Sequence, residues 1–290
     1  MAMITWAIKD YTRVRNIGLC HSVQNTSKEL AAYLGAPLEE ITYRVAGINH
    51  MSWFLDLEWN GKDAYLLLRE KFTEPEVYDR PDAHWAGYDV TRIEIFKAFG
   101  YFVTESSQHM SEYVPYFRKR LDLLKRFKLD YRLDTLNDFT VSRIKAEETM
   151  RRTLERGEVI PLKRTTEYCT HIIHSIEMGT PRRVNANVSN TGFITNLPGN
   201  CVVEVPCLVD ETGIQPIFVG DLPPQCAALN RTNISVQELG VLAAVKKDKE
   251  LAFQAILLDP LTSSTLTIDE TLRMVDEMFE AEALFLPGYE

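Results

Sequence analysis

Apolar and polar positions along the chain change period several times, and each change marks an element. Met3-Ile-Thr-Trp-Ala-Ile8 has the one-sided apolar spacing of a helix, with no capping residue or strand before it. Thr26-Ser-Lys-Glu29 reads as a capping box that opens a short helix through Leu34, and Gly35 ends it. The period then shortens. Residues 41–45 and 52–59 read as strands, the second closed by the hairpin signal Asn60-Gly61. A loop containing Pro and Asp covers residues 74–89, residues 91–99 are helical in pattern, and Gly100 stops them. The polar segment 104–112 follows at once.

Residues 118–160 are dense in Lys, Arg and Glu. Apolar positions at Leu121, Leu124, Phe127, Ile144, Met150 and Leu154 predict solvent-facing helices with a modest buried stripe. Alternation returns in residues 184–192 and again in Cys201-Val-Val-Glu-Val-Pro206, predicting a second sheet segment. Two helical stretches, 232–258 and 267–284, close the chain, with Asp259-Pro260 as the break between them. No internal repeat, low-complexity tract or linker interrupts residues 1–290, and the mixture of elements reads as one α+β domain.

Composition narrows the reading. A chain of 290 residues with 45% apolar content can bury a sizeable core. The net charge of -9 argues against a general affinity for nucleic acid or anionic membranes. No apolar run is long enough to span a bilayer, and the first residues lack the pattern of a signal peptide, so a cytoplasmic location is expected. Five cysteines at irregular spacings, with no Cys-x-x-Cys pair, fit reduced thiols rather than a disulfide framework.

Candidate chemistry concentrates in two short segments, Gly18-Leu-Cys-His-Ser-Val-Gln24 and Ala46-Gly-Ile-Asn-His-Met51. Cys20, His21, Asn49 and His50 place a thiol, two imidazoles and an amide near expected turns, where side chains are presented to ligands. Thiolate with imidazole by itself suggests zinc. Glu105, His109 and Glu112 offer acid-base groups if the chain folds back toward Cys20, although a polar capping loop explains the same residues. Asn196-Leu-Pro-Gly-Asn200 reads as a turn, and Glu204 as the outward residue of a half-buried strand. His171 and His174 have no acidic partner at ligand spacing, so core or surface placement is expected for them.

These segments, together with Phe99-Gly-Tyr-Phe-Val-Thr-Glu-Ser-Ser-Gln-His109, Asn196-Leu-Pro198, Val203-Glu-Val-Pro206, Ile214-Gln-Pro216 and Leu284-Phe-Leu-Pro-Gly288, occur in an order that resembles the α-galactosidases of glycoside hydrolase family 4. The resemblance covers essentially the whole chain. It implies a fold like the carboxy-terminal domain of lactate and malate dehydrogenases, preceded in the family by a Rossmann domain. The chain has no Gly-x-Gly-x-x-Gly, so it resembles the carboxy-terminal portion of a longer enzyme.

The chemistry implied is an exception to the usual two-carboxylate hydrolysis of glycosides, one in which NAD oxidises the sugar at C3 before elimination, water addition and reduction. By this resemblance Cys20 and His50 match the metal ligands, and the metal is manganese rather than zinc. His21 stands where a leaving-group acid is placed. Glu105 is the expected base at C2, with Tyr101 or His109 as the other choices, and Asn49 orients His50 or contacts substrate. The cofactors expected are NAD and Mn2+, and the substrate a small α-galactoside such as melibiose, handled by a homo-oligomer. An α-glucosidase or α-galacturonidase on the same machinery, or a non-catalytic fragment, remain the alternatives.

Overall fold

The structure, a computed structural model, describes residues 1–79, 88–129, 133–160 and 167–289. Parts of the loop expected at 74–89 and of the charged stretch 118–160 lie outside the described residues. Among those described, β1 (Ile41–Ile48), β2 (Met51–Trp59), β3 (Lys62–Asp63), β4 (Arg182–Ser189), β5 (Val202–Asp210) and β6 (Gly213–Pro216) form one antiparallel sheet. Its order is β3-β2-β1-β5-β4, with β6 paired to β5. The two regions of alternation are thus halves of a single sheet, joined where Gly47 faces Glu204.

Helices α1 (Ala2–Tyr11) and α2 (Ser22–Leu34) precede the sheet. Between its halves run α3 (Tyr65–Lys71), α4 (Pro75–Asp79), α5 (Val90–Phe99), α6 (Ser107–Tyr113), α7 (Leu121–Arg126), α8 (Leu133–Glu155) and α9 (Cys169–Met178). After it come α10 (Pro224–Lys246), α11 (Lys249–Leu258), α12 (Pro260–Thr265) and α13 (Ile268–Ala281). The class is α+β. No helix among the described residues is long and apolar enough to cross a membrane.

Neighbouring residues of β1 and β2 feed two different cores, because side chains alternate across a sheet. Ala46, Ile48 and Trp53 pack with Trp6 of α1 and with Cys226 and Ile234 of α10. Val45, Phe54 and Leu57 pack instead with Leu30 of α2, Leu68 of α3 and Phe96 of α5. Burying each Val, Leu, Ile or Phe among them stabilises the fold by about 1.5–3 kcal/mol. Helices therefore cover both faces of the central strands, which is why Val45-Ala46-Gly47-Ile48 is apolar without interruption.

Local signals were overridden at three places. α2 begins at Ser22, so Thr26 and Glu29 are not a cap; both are buried and bind the Arg92 guanidinium, through Thr26 Oγ1 at 3.1 Å and Glu29 Oε2 at 2.6 Å. The stretch 232–258 is two helices: α10 starts earlier, at Pro224, and Lys247 leaves it in a left-handed conformation before Asp248 caps α11. Ile144, Met150 and Leu154 of α8 are exposed, so the buried stripe stops at Leu124 and Phe127. Elsewhere punctuation was legible. Gly35 and Gly100 close α2 and α5 with positive φ, and Asp259 breaks α11 from α12.

Candidate metal centre

Three segments reach the same end of the sheet. The β1–β2 turn carries Asn49 and His50; the segment before α2 bridges β4 through Gly18 and Asn187; the segment before α6 bridges β2 through Val103 and Trp53. Gly47 is required for the first, since a Cβ there would stand 2.5 Å from the Met51 carbonyl oxygen and 2.7 Å from Ser52 Cα. The third is tied down by Thr104 N–H donating to Ser52 O (2.8 Å) and Ser52 N–H donating to Thr104 Oγ1 (3.1 Å).

The result is a cluster. One ligand atom each from Cys20, His50 and Glu105 lies within 4.8 Å of the others. Glu105 Oε2 is 4.0 Å from Cys20 Sγ and 3.8 Å from His50 Nε2, while its Oε1 is 3.9 Å from His109 Nδ1. The His50 and His109 rings meet edge to face at 5.0 Å. Two of the three residues pay in backbone strain: His50 has φ 65° and Glu105 φ 74°, the left-handed region that side chains disfavour.

Each strained or buried group has a brace. The Tyr168 hydroxyl accepts from Cys20 N–H (3.1 Å) and lies 3.0 Å from the Cys20 carbonyl and 3.1 Å from that of Asn185, to one of which it donates. Arg92, fully buried, donates from Nη1 to the Glu105 carbonyl. Its charge is balanced by Asp89, at 2.5 Å from Nε, and by Glu29. That surrounding charge raises the guanidinium pKa despite burial, so Arg92 stays a cation.

Electrostatics fit a cation at the cluster. Burial, with the Glu204 carboxyl next, pushes the Cys20 thiol up to about 11, so thiolate forms only with a positive charge at hand. Burial, then His109, holds His50 down to about 4, leaving a neutral imidazole with a free lone pair. Sulfur, nitrogen and carboxylate oxygen make a mixed donor set, softer than magnesium prefers and harder than a structural zinc site of thiolates.

The other candidates are placed as follows. Asn49 is buried and its Nδ2 has no hydrogen-bond partner. His21 sits at the N-terminal cap position of α2 without a side-chain capping bond, half exposed, with Nε2 3.2 Å from Glu167 Oε1. His109 touches Glu105. Tyr101 does not join them: it packs edge-on against Tyr65, 6.1 Å between rings, in a separate cavity lined by Leu55, Arg69 and Gln225. The aromatic ring beside His50 is Tyr113, at 6.1 Å, its hydroxyl pushed up to about 12 by burial and then by Glu105. Its spacing of four from His109 on α6 was the available signal. His174 Nδ1 accepts from Arg182 Nη1 at 3.0 Å, on the surface.

Glu204 is not the outward residue of a half-buried strand. It is fully buried, with Oε1 unpartnered and Oε2 2.9 Å from Ser52 Oγ, and burial pushes its carboxyl up to about 8. A charged residue inside Val-Val-Glu-Val was the sequence signal for it.

The Family 4 glycosyl hydrolase C-terminal domain model matches residues 45–262. The chain belongs to the family 4 glycosyl hydrolases. This family 4 chain is 41% identical over 290 residues to an alpha-galactosidase of Bacillus subtilis (strain 168), covering 100% of the chain and 66% of the relative. It is 36% identical to an alpha-galactosidase of Rhizobium meliloti (strain 1021), covering 100% and 59%. The chain thus spans less than two thirds of either relative's length. A 6-phospho-alpha-glucosidase from gut microorganisms, solved in complex with NAD and Mn2+, shares the fold with a TM-score of 0.74 at 21% identity, over 97% of this chain and 65% of that one.

Proposed function

We propose that this chain carries the metal-binding and sugar-binding part of an α-galactoside hydrolase, with Cys20 and His50 as ligands of one Mn2+ ion. The observation that carries the reading is the convergence of Cys20, His50 and Glu105 within 4.8 Å. Identity to two alpha-galactosidases supports the substrate class, and the NAD and Mn2+ held by the gut 6-phospho-alpha-glucosidase support the cofactors. When bound, the metal supplies Lewis acidity toward the C2 and C3 oxygens of the sugar.

The chain's own residues supply the proton movements. Glu105 takes the proton from C2: its carboxylate stands beside the ligand atoms, and Oε1 faces His109, which can share the proton. His21, positioned by Glu167, gives a proton to the glycosidic oxygen. Asn49 Nδ2, buried and unpartnered, donates to a sugar hydroxyl. Oxidation at C3 would use NAD, whose Gly-x-Gly-x-x-Gly fingerprint does not occur in residues 1–290.

The same cluster favours a second role for Glu105, as a third metal ligand. Glu105→Gln separates the two. A base loses turnover while Mn2+ affinity holds; a ligand loses both. The whole reading is tested by hydrolysis of p-nitrophenyl α-galactoside with NAD+, Mn2+ and a thiol reductant, alongside Cys20→Ser. Activity that survives that substitution, or that needs no NAD+, overturns it.

A further inference from the structure

Glu204 stands at the centre of the sheet, between Gly47 of β1 and Asn187 of β4. Three oxygens meet beside it: Glu204 Oε2, Ser52 Oγ at 2.9 Å, and the Ile48 carbonyl, 3.0 Å from the same Ser52 Oγ. A serine hydroxyl has one proton to give, and a carbonyl has none. If Glu204 were a carboxylate, one of those two short contacts would set lone pair against lone pair in a buried place. A proton on Glu204 satisfies both: the carboxylic acid donates to Ser52 Oγ, and Ser52 donates to Ile48 O. We propose that Glu204 is held as a neutral carboxylic acid that donates to Ser52 and thereby fixes the turn presenting His50.

The turn needs such a brace. Ile48 and Ser52 flank Asn49-His50-Met51, His50 is left-handed, and Ser52 also pairs through its backbone with Thr104, next to the equally strained Glu105. One hydrogen-bonded line therefore runs from Glu204 to both strained positions. Glu204 is a positioning residue, since among the described residues its side chain hydrogen-bonds Ser52 and none of Cys20, His50 and Glu105. Among the described residues, the titratable groups whose charges couple to it include Glu105, Cys20, Tyr168 and Cys207, all acids whose negative charge disfavours its ionisation. Its raised pKa, about 8, agrees with the proton count.

Infrared difference spectroscopy on the full chain, wild type against Glu204→Gln, tests the acid directly. A protonated-carboxyl carbonyl band is expected in the wild type at neutral pH, absent from E204Q, and lost as the pH rises past about 8. Absence of that band at neutral pH overturns the proposal, whatever becomes of the variant. The consequence for His50 rests on the metal-site reading above and is tested separately, by Mn2+ titration and by the visible spectrum of the Co2+ form. E204Q, whose amide donates to Ser52 as the acid does, is expected to retain affinity and spectrum, whereas Ser52→Ala loses roughly tenfold in affinity and shifts the spectrum. A folded E204Q that loses the metal would show that a negative charge is needed, and the neutral acid would be wrong. If neither E204Q nor wild type binds Mn2+ while the band is present, the metal reading fails and the buried acid stands.

Discussion

Replacing Arg92 by Met removes a cation shared by two buried carboxylates. Arg92 is fully buried, Asp89 is 1% exposed and Glu29 6%. Its Nε and Nη2 hold Asp89 at 2.5 and 2.7 Å, Nη2 holds Glu29 at 2.6 Å, and Nη1 holds Thr26 Oγ1 and the Glu105 carbonyl. Asp89 keeps hydrogen bonds from Ser107 Oγ (3.0 Å) and Tyr33 Oη (3.1 Å), so part of its solvation survives the loss. Breaking a buried pair by removing one partner costs about 3–5 kcal/mol, and the upper half of that range is expected here because two carboxylates lose the same cation. Urea unfolding of wild type and Arg92→Met measures it, with coincident fluorescence and circular dichroism transitions as the check on two-state behaviour. Adding Glu29→Gln and Asp89→Asn to Arg92→Met removes the charges together and should recover most of the loss. A loss below about 1 kcal/mol for the single variant would mean that the carboxylates are not buried as charges, and the account of this hub would fail.

Other outcomes follow from the site. Mn2+ affinity should rise about tenfold per pH unit near neutrality: Cys20, at about 11, must give up one proton to the solvent, and His50, at about 4, has none to give. Calorimetry in buffers of different ionisation heat counts that proton, and a count near zero or two contradicts the assignment. Glu105→Gly relieves a left-handed penalty of about 1–2 kcal/mol but loosens the unfolded chain by about 0.5–1 kcal/mol, so the metal-free chain should stay within about 1 kcal/mol of wild type while Mn2+ binding is lost or turnover abolished; a loss above about 2 kcal/mol would show that side-chain contacts of Glu105 outweigh its backbone strain. Tyr168→Phe removes the hydroxyl that clamps the Cys20 backbone and should cost about 1–3 kcal/mol, read by thermal unfolding, with weaker Mn2+ binding. Unchanged stability in that variant would leave the clamp without energetic weight.

The parts of the fold that sequence made legible are those ruled by neighbours a few residues apart. Gly35, Gly100 and Asp259-Pro260 end helices for local reasons, and they do so in the structure. The long-range parts were hidden. Thr26 and Glu29 had the spacing of a cap, but Arg92 makes a stronger claim on both, and nothing in the local spacing announces a guanidinium 63 residues away from Glu29. The same holds in the site. Cys20, His50 and Glu105 could be named as chemistry-bearing residues, whereas Tyr168, which holds Cys20 across 148 residues, has no motif around it. Tyr101 and Tyr113 show the limit most plainly: both flank Glu105, and only the cap at Ser106 and the helix after it decide which ring turns toward His50.

The order in which these pieces leave the ribosome has a consequence for when a metal can be captured. Cys20, His50 and Glu105 all precede Tyr168 and β5 along the chain, and the β1–β2 turn joins adjacent strands. Strand β5, with Glu204, and Tyr168 emerge later, and only then can Ser52 and Cys20 be braced. A nascent chain stalled before β5 therefore exposes a thiol, an imidazole and a carboxylate without the frame that gathers them. On the metal-site reading proposed above, the full frame around Cys20, His50 and Glu105 is in place only once the distant half of the sheet has docked, which depends on pairings of high sequence separation.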